Sequence, residues 1–243
     1  MARFFMAGTN MLGGMAIMTG KEAEHAKVLR IRPGEDIIIC DGKGTDYKCR
    51  VVLADKEQVQ AEVIEVTPCK AEPTVAVTVM CGLPKGSDKT DYIIQKCVEA
   101  GASEIMFFQS DRCVAKPENI EKKAERWNRI SEEAAKQSGR GIIPPVGWLG
   151  EYAEALNVAV KKDLAVFMYE TGDREPLNAV LDANRSIASA AVITGPEGGF
   201  DYEEAELAKK QGLQSVTMGT RILRCETAPL VALTAVMYAT GNL

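Results

Sequence analysis

The stretch Thr194-Gly195-Pro196-Glu197-Gly198-Gly199-Phe200 joins two segments of opposite character. Residues 188–193 form a short apolar run that predicts a buried strand, and residues 201–211, rich in Glu, Ala and Lys, predict a helix that Asp201 can cap. Three glycines and a proline between them predict a tight strand-to-helix turn. Open α/β sheets bind ligands at the carboxyl ends of their strands, so this turn is a candidate binding loop. Taken alone, it is equally compatible with an ordinary βα loop.

The sequence pattern of hydrophobic residues changes near residue 70, in a short segment with a proline at each end, Pro68 and Pro73. Before this point, short strand patterns at 36–40, 47–53 and 58–66, with a helix at 21–29, predict a small β-barrel over residues 1–70. Beyond it, alternating strands and helices predict an α/β domain with a mostly parallel sheet over residues 71–243. The predicted strands of this second domain are 74–81, 105–108, 164–169, 188–193 and 215–218, and its predicted helices are 88–100, 117–138, 152–161, 201–211 and 226–240.

The composition restricts the class of protein. The 243 residues are 46% hydrophobic, enough for a full core, and 29 basic against 34 acidic residues give a net charge of −5, which argues against a generally basic surface. We find no transmembrane run and no signal-peptide pattern, and expect no membrane partner. Seven cysteines without a CxxC pair, and a single histidine, His25, argue against a bound metal and favour the reducing cytoplasm.

A second glycine-containing loop, residues 218–229, carries Arg221, Arg224 and Glu226 in an otherwise apolar context. An arginine in such a context needs a carboxylate partner or serves a ligand. The alternative is an ordinary helix start, with Glu226 placed favourably at the positive end of the helix dipole.

Two further polar groups have both a functional and a structural interpretation. Lys85 and Lys89 follow the first strand of the second domain, where they could hold phosphates or form a solvated helix face. Gln137 and Arg140 close the long helix, where they could bind a ligand or cap the helix. No Ser-His-Asp arrangement, no GxGxxG motif after a strand and no P-loop is present, which argues against a nicotinamide enzyme and a P-loop nucleotidase.

Taken together, these stretches resemble the RsmE family, the ribosomal RNA uridine-N3 methyltransferases of the SPOUT superfamily, along the whole chain. The matching positions are Arg3-Phe4-Phe5, residues 25–30, Gly34, Asp41-Gly42, Lys85-Gly86, Lys89, Ile94-Gln95-Lys96, Glu99, Gly101, Arg112-Cys113, Trp127, Ile130, Glu133, Ala134, Gln137-Ser138, Arg140, Pro144, residues 195–200 and residues 219–228. The chain departs from the family pattern at Cys225, where Thr is usual, at Ala100, and at Met218.

The resemblance implies a PUA-like, RNA-binding β-barrel before a SPOUT-type methyltransferase domain with a C-terminal trefoil knot. It implies S-adenosylmethionine as the methyl donor, a homodimer, and 16S ribosomal RNA in the 30S subunit as the partner. The donor-binding residues would be Tyr169, Glu170, Thr194, Gly195, Pro196, Glu197, Gly198, Gly199, Met218, Gly219, Ile222, Leu223 and Arg224. The candidate RNA-binding residues are Arg3, Arg30, Lys85, Lys89, Gln137 and Arg140.

The difficult part of methylating uridine N3 is activating the nucleophile, because N3 carries a proton, is a weak acid and attacks well only as that proton leaves. A cation can stabilise the developing uracil anion, and a base can take the proton. We expect Arg224 or Arg221 to be the cation and Glu197 or Glu226 to be available as the base. Our hypothesis makes Arg224 the main electrostatic group and Glu226 its orienting partner. The alternatives are another SPOUT methyltransferase, acting on a tRNA base or a ribose, and a non-catalytic RNA-binding factor of ribosome assembly.

Overall fold

The computed structural model describes residues 1–6, 11–55, 57–116 and 118–243, and of residues 11 and 12 it describes only the backbone. Their contacts divide the chain into two compact units. The first unit is Met1–Glu72 with Ala135–Ile143, and the second is Pro73–Ala134 with Pro144–Leu243. Pro117, which we predict in the first turn of the long helix, lies outside the described residues. A domain boundary at residue 70 stays a prediction.

The first unit is a six-stranded sheet that curls around its own core. Its elements are β1 (Arg3–Phe5), β2 (Met11–Leu12), β3 (Met15–Thr19), α1 (Gly20–Val28), β4 (Asp36–Cys40), β5 (Thr45–Ala54) and β6 (Gln58–Pro68). The strand order is β1-β4-β5-β6-β3-β2, with antiparallel pairs except for β1 and β4. Five strands and α1 contribute to one core, which includes Phe4, Met18, Ala26, Ile37, Val51 and Val59. The alternation along these strands predicts the burial of Cys49 and Val51 in β5 and of Val59 and Ala61 in β6. Leu53, which belongs to the same alternating set, is exposed, because the register of β5 against β6 shifts between Val51 and Leu53.

Helix α1 ends in a turn that holds Arg30 in the left-handed region, with a φ of 57°. The Ile31 amide donates to the Ala26 carbonyl at 3.1 Å, the backbone bond of a Schellman motif. Glycine is usual at this position, because a side chain there costs on the order of 1 kcal/mol. The side chain of Arg30 is exposed, and it stands at a position where glycine would fold more easily.

Glu72 connects the end of the β-rich segment to residues 140–142. Its carboxylate accepts hydrogen bonds from the Gly141 amide at 2.7 Å, the Ile142 amide at 3.0 Å and Arg140 Nη2 at 2.8 Å. The Arg140 side chain is only 3% exposed. Burial alone would raise the pKa of Glu72, but the guanidinium and the two amides outweigh it and lower the pKa below its usual value.

Replacing Glu72 with Gln should destabilise the protein by about 2–4 kcal/mol, because it removes the charge that faces a buried guanidinium. A carboxyl with a lowered folded pKa contributes stability above its unfolded pKa and loses it as the pH falls through the folded pKa. The difference between wild type and variant in urea unfolding should thus be full at neutral pH and shrink below about pH 4. Glu65→Gln, at an exposed position of β6, is the control. A difference that is independent of pH would contradict the ion pair as its source.

The second unit is a seven-stranded, fully parallel sheet with the strand order β11-β13-β10-β12-β7-β8-β9. Its strands are β7 (Ala76–Gly82), β8 (Glu104–Gln109), β9 (Val146–Glu151), β10 (Leu164–Met168), β11 (Glu175–Pro176), β12 (Ser189–Thr194) and β13 (Gln214–Thr217). Its helices are α2 (Ser87–Glu99), α3 (Ile120–Ser138, which ends in the first unit), α4 (Tyr152–Ala159), α5 (Leu177–Ala183), α6 (Tyr202–Lys210) and α7 (Ala228–Ala239). The central strands are continuous apolar runs, as expected for a parallel sheet buried on both faces.

The core on one face of this sheet forms around Phe200, the last residue of the quoted stretch. Its ring packs against Phe167 with centroids 4.5 Å apart, and against Tyr152 at 5.4 Å. Helix α6 then begins with a capping box, in which Asp201 Oδ1 accepts from the Glu204 amide at 2.7 Å and Glu204 Oε2 accepts from the Asp201 amide at 3.0 Å. The predicted turn is thus fixed by an aromatic anchor and by the cap that Asp201 was expected to provide.

Several elements are absent from the sequence-based prediction. Strand β9 contains two glycines and no clean alternation, and β11 has only two residues, one of them proline. Helix α5 has seven residues, too few for a periodic pattern. The last helix begins at Ala228 and not at Glu226, so Glu226 belongs to the preceding loop.

Candidate active site

A cavity of about 460 Å³ lies at the carboxyl ends of β10, β12 and β13. These three strands are neighbours in the sheet, in the order β13-β10-β12, so the loops that follow them converge at one edge. The lining is contributed by Met168, Tyr169, Glu170, Thr194, Gly195, Pro196, Glu197, Gly199, Phe200, Val216, Thr217, Met218, Gly219, Thr220, Arg221, Ile222, Leu223, Arg224, Cys225, Glu226 and Ala228, with Lys89 from α2. A cavity of this size can hold a ligand of nucleoside dimensions.

The structure brings together the two glycine loops and the end of β10. Of the thirteen positions predicted to hold a methyl donor, only Gly198 is missing from the cavity wall, and all four candidate catalytic residues line it. Sequence reasoning missed Met168, Phe200, Val216, Thr217, Thr220, Cys225 and Ala228. Met168, Val216 and Thr217 lie in the last part of the predicted strands 164–169 and 215–218, so a rule that includes the last few residues of each strand would have found them.

Glu197 ties the loop after β12 to the loop after β7. Its Oε1 accepts from Lys89 Nζ at 2.6 Å, and the Lys85 amide donates to its two carboxylate oxygens at 3.0 and 3.3 Å. Partial burial would raise the pKa of Glu197, but the bonds from Lys89 and from backbone amides lower it. The carboxylate is therefore ionised at neutral pH and already engaged by Lys85 of the loop after β7 and by Lys89 of α2.

Gly82 and Gly198 let the loop after β12 pack tightly against its neighbours. A Cβ built on Gly82 would lie 2.5 Å from Pro196 Cδ and 2.8 Å from Pro196 N. A Cβ on Gly198 would lie 2.9 Å from Arg112 Cβ, and Arg112 Nη1 donates to the Gly198 carbonyl at 3.2 Å. Gly198 thus faces the segment after β8 and supports the loop from outside the cavity.

The loop after β13 places two ionisable groups and a thiol beside each other. Arg224 is 85% exposed, and its Nη1 lies 3.9 Å from Glu226 Oε1, an ion-pair contact longer than a hydrogen bond. The Glu226 side chain is 17% exposed, and its Oε2 accepts from Cys225 Sγ at 3.2 Å. Burial, and then the carboxylate beside it, raise the pKa of the Cys225 thiol to about 12, so the thiol stays protonated and donates.

The candidate RNA-binding residues have different environments. Arg30, Lys85 and Gln137 are exposed, whereas Lys89 is half-buried against Glu197. Two arginines are held by carboxylates of the first unit, Arg3 by Asp46 with Nη1–Oδ1 at 2.6 Å, and Arg140 by Glu72. Because both side chains are largely buried in these pairs, we do not include them in the RNA contacts proposed below.

Two absences hold for the described part of the chain. No group of three or more His, Cys, Asp or Glu side chains there is arranged to bind a metal ion. None of its helices combines the length and the apolar character needed to cross a membrane.

Comparison with known proteins gives the class and then the family. Residues 70–237 match the RNA methyltransferase domain, and residues 18–64 match the RNA methyltransferase PUA domain. The fold, the cavity and these matches define the protein as an RNA methyltransferase.

The relatives narrow the assignment further. Ribosomal RNA small subunit methyltransferase E of Bacillus subtilis is 37% identical over 92% of this chain and 90% of its own, and that of Mycobacterium tuberculosis is 34% identical over 95% and 88%. The crystal structure of the Neisseria gonorrhoeae enzyme of this name, bound to S-adenosyl methionine, superposes with a TM-score of 0.85 at 32% identity over 98% of this chain and 97% of that one. The chain belongs to the ribosomal RNA small subunit methyltransferase E family. The expected fold class, a SPOUT-type α/β methyltransferase domain after a PUA-like barrel, is confirmed.

Proposed function

We propose that this protein transfers the methyl group of S-adenosylmethionine to N3 of one uridine in 16S ribosomal RNA of the small subunit. The observation that carries the proposal is the single cavity into which three adjacent strand ends bring both glycine loops. The identity of the RNA substrate and of the methyl donor is inferred from the relatives in this family.

The residues of the cavity fit this donor. Met168, Val216 and Leu223 offer apolar surface to a nucleobase, and both glycine loops line the cavity beside them. Gly199 has a φ of 66°, and a Cβ there would lie 2.6 Å from Glu170 Oε1, so this position requires glycine for its conformation and suits glycine for its space. The Glu170 carboxylate faces this loop and would accept hydrogen bonds from hydroxyl or ammonium groups of the donor.

The donor supplies an activated methyl group whose leaving group is a neutral sulfur, so departure needs no acid. The protein must therefore orient the uridine and stabilise charge on its ring. Arg224, exposed at the mouth of the cavity, can direct its guanidinium to a uracil carbonyl oxygen, where negative charge develops. Arg221 lies on the same loop and is the second candidate for this role. Lys89, bonded to Glu197, keeps the donor loop in place and adds positive charge where the RNA would approach.

The strained conformation of Arg30 supports a role for its side chain in binding the RNA backbone. Replacing Arg30 with Gly should weaken RNA binding several-fold, and should make the affinity less dependent on salt, because one phosphate contact is lost. Since glycine suits the left-handed conformation, thermal stability should change by less than about 1 kcal/mol. Filter binding at several salt concentrations, with thermal unfolding as the control for folding, tests this. Unchanged affinity and salt slope would remove Arg30 from the RNA contacts.

The proposal includes a homodimer in the cytoplasm. The exposed apolar side chains Val231 and Tyr238 on α7 and Ile222 on the preceding loop, which are 39%, 77% and 83% exposed, support an association surface in the second unit. All seven cysteines are free, which supports a reducing compartment.

Mass-spectrometric mapping of methylated nucleosides in 16S ribosomal RNA tests the function directly. RNA from cells without the gene should lack one N3-methyluridine that reappears when the gene is restored. If the ribosomal RNA were unchanged and a methylation were lost from tRNA instead, the protein would be a related methyltransferase that acts on tRNA. Failure of the pure protein to bind S-adenosylmethionine in calorimetry would favour a non-catalytic assembly factor.

A further inference from the structure

Three carboxylates line the cavity, Glu170, Glu197 and Glu226. Glu170 faces Gly199 and is assigned to the donor, which leaves Glu197 and Glu226 as candidate acceptors of the proton on uridine N3. The single histidine of the sequence, His25, belongs to the first unit. Glu197 is engaged by the Lys85 amide and by Lys89 Nζ at 2.6 Å, so protonating it would break the tie that positions the donor loop. Among the described residues, the ion-pair contact of Glu226 is with Arg224, and its 3.9 Å length exceeds that of a hydrogen bond.

We propose that Glu226 accepts the N3 proton during methyl transfer and that the thiol of Cys225 holds the carboxylate in position. This inference rests on the proposed function and assigns the base that the sequence leaves open. The Glu226 side chain is largely buried but lines the cavity, and one of its oxygens, Oε2, accepts from Cys225 Sγ at 3.2 Å. A thiol is a weak donor, so it orients the carboxylate while reducing its basicity less than a hydroxyl would.

In the proposed step, the N3–H bond breaks and its proton moves to a carboxylate oxygen of Glu226. The electron pair of N3 forms the new bond to the methyl carbon. The electron pair of the broken carbon–sulfur bond remains on sulfur, which becomes neutral. The protonated carboxyl then releases its proton to solvent when the RNA leaves. In this step Arg224 stabilises the negative charge that develops on the uracil ring. Before the step, the charge of Arg224 helps to keep the Glu226 carboxylate ionised.

The charged and titratable groups facing Glu226 allow a clear pH signature. Partial burial would raise the pKa of Glu226, but its own backbone amide, the Cys225 thiol and the charges of Lys89 and Arg224 lower it. Glu197 faces the same thiol from the loop after β12, and it too has a lowered pKa. The hydrogen bond to Glu197 raises the pKa of Lys89. None of these groups therefore changes charge between about pH 6 and 9.

Glu226→Gln is the decisive variant, because the amide keeps the size of the side chain and cannot accept the proton. We expect kcat to fall about 100-fold, while the affinities for S-adenosylmethionine, by calorimetry, and for RNA, by filter binding, stay within about twofold of wild type. The kcat of wild type should be flat above about pH 6, whereas that of the variant should rise in proportion to hydroxide, since N3 must then ionise unaided. Glu203→Gln, at an exposed position of α6, is the matched control and should behave as wild type.

The role of the thiol is tested with Cys225→Ser and Cys225→Ala. The serine variant keeps a donor to Glu226 and should retain kcat within about threefold, while the alanine variant should lose about tenfold with unchanged donor affinity. A Glu226→Gln enzyme with wild-type kcat and pH profile would overturn the proposal and leave the methyltransferase function intact. A wild-type protein that methylates no uridine N3 would overturn both. A loss of donor affinity that matches the loss of kcat would make Glu226 a donor-binding residue and overturn its role as base.

Discussion

Replacing Gly82 with Ala is expected to weaken donor binding about 10- to 100-fold, although Gly82 is outside the cavity wall. The new Cβ would lie 2.5 Å from Pro196 Cδ and 2.8 Å from Pro196 N, distances at which the loop after β12 has to move. Pro196 lines the cavity, so the displacement moves the wall itself. Glu197, the next residue, would also lose its alignment with Lys89. Calorimetry with S-adenosylmethionine measures the affinity, and thermal unfolding measures the cost to folding, which we expect to be about 1–3 kcal/mol.

Gly147→Ala, in β9 of the same sheet, is the matched control for Gly82→Ala. A Cβ there would meet only the end of a flexible side chain, Met106 Sδ at 3.0 Å and Cε at 3.3 Å. Its donor affinity should therefore stay near that of wild type. A folded Gly82→Ala protein with unchanged donor affinity would show that the loop after β12 tolerates displacement and contributes little to binding.

Gly82 also illustrates what the sequence can predict and what it cannot. The strands β7, β10 and β12 were predictable, because each is a short, mainly apolar run between turn residues, and β13 was expected as a brief strand before the second glycine loop. Their order in the sheet was not, since β13 pairs with β10 and β11 across long stretches of chain. The close approach of Gly82 to Pro196 depends on that order, and nothing in the local sequence reports it.

The candidate site divides in the same way. Residue types and glycine loops pointed to residues 194–200 and 218–229 as binding segments, and the family resemblance added the donor and the end of β10. The partners of individual side chains depend on tertiary contacts. Arg3 and Arg140 are typical phosphate-binding residue types, yet in the structure they neutralise Asp46 and Glu72. Gly198 was expected in the cavity and packs against Arg112 instead.

Arg224→Ala should lower kcat about 100- to 1,000-fold, the range found when a group that stabilises transition-state charge is removed. The variant removes the charge that we expect to face the uracil, and it should do so without disturbing the rest of the site. The side chain of Arg224 is 85% exposed and packs little against the protein, so its removal should cost almost no stability and should leave the donor pocket formed. Affinity for S-adenosylmethionine should remain near wild type, and turnover under saturating donor should carry the loss.

Two companion variants identify the origin of that loss. Arg224→Lys keeps the charge but cannot hold a carbonyl oxygen with two nitrogens, so it should recover only part of the activity. Arg221→Ala removes the other arginine of the same loop, and a smaller effect there would identify Arg224 as the group facing the uracil. Arg185→Ala is the control. Its exposed side chain pairs with Asp182 and does not line the cavity, so this variant should leave turnover unchanged. If Arg224→Ala reduced donor affinity and turnover by the same factor, Arg224 would be a donor-binding residue, and charge stabilisation would have to come from Arg221 or Lys89.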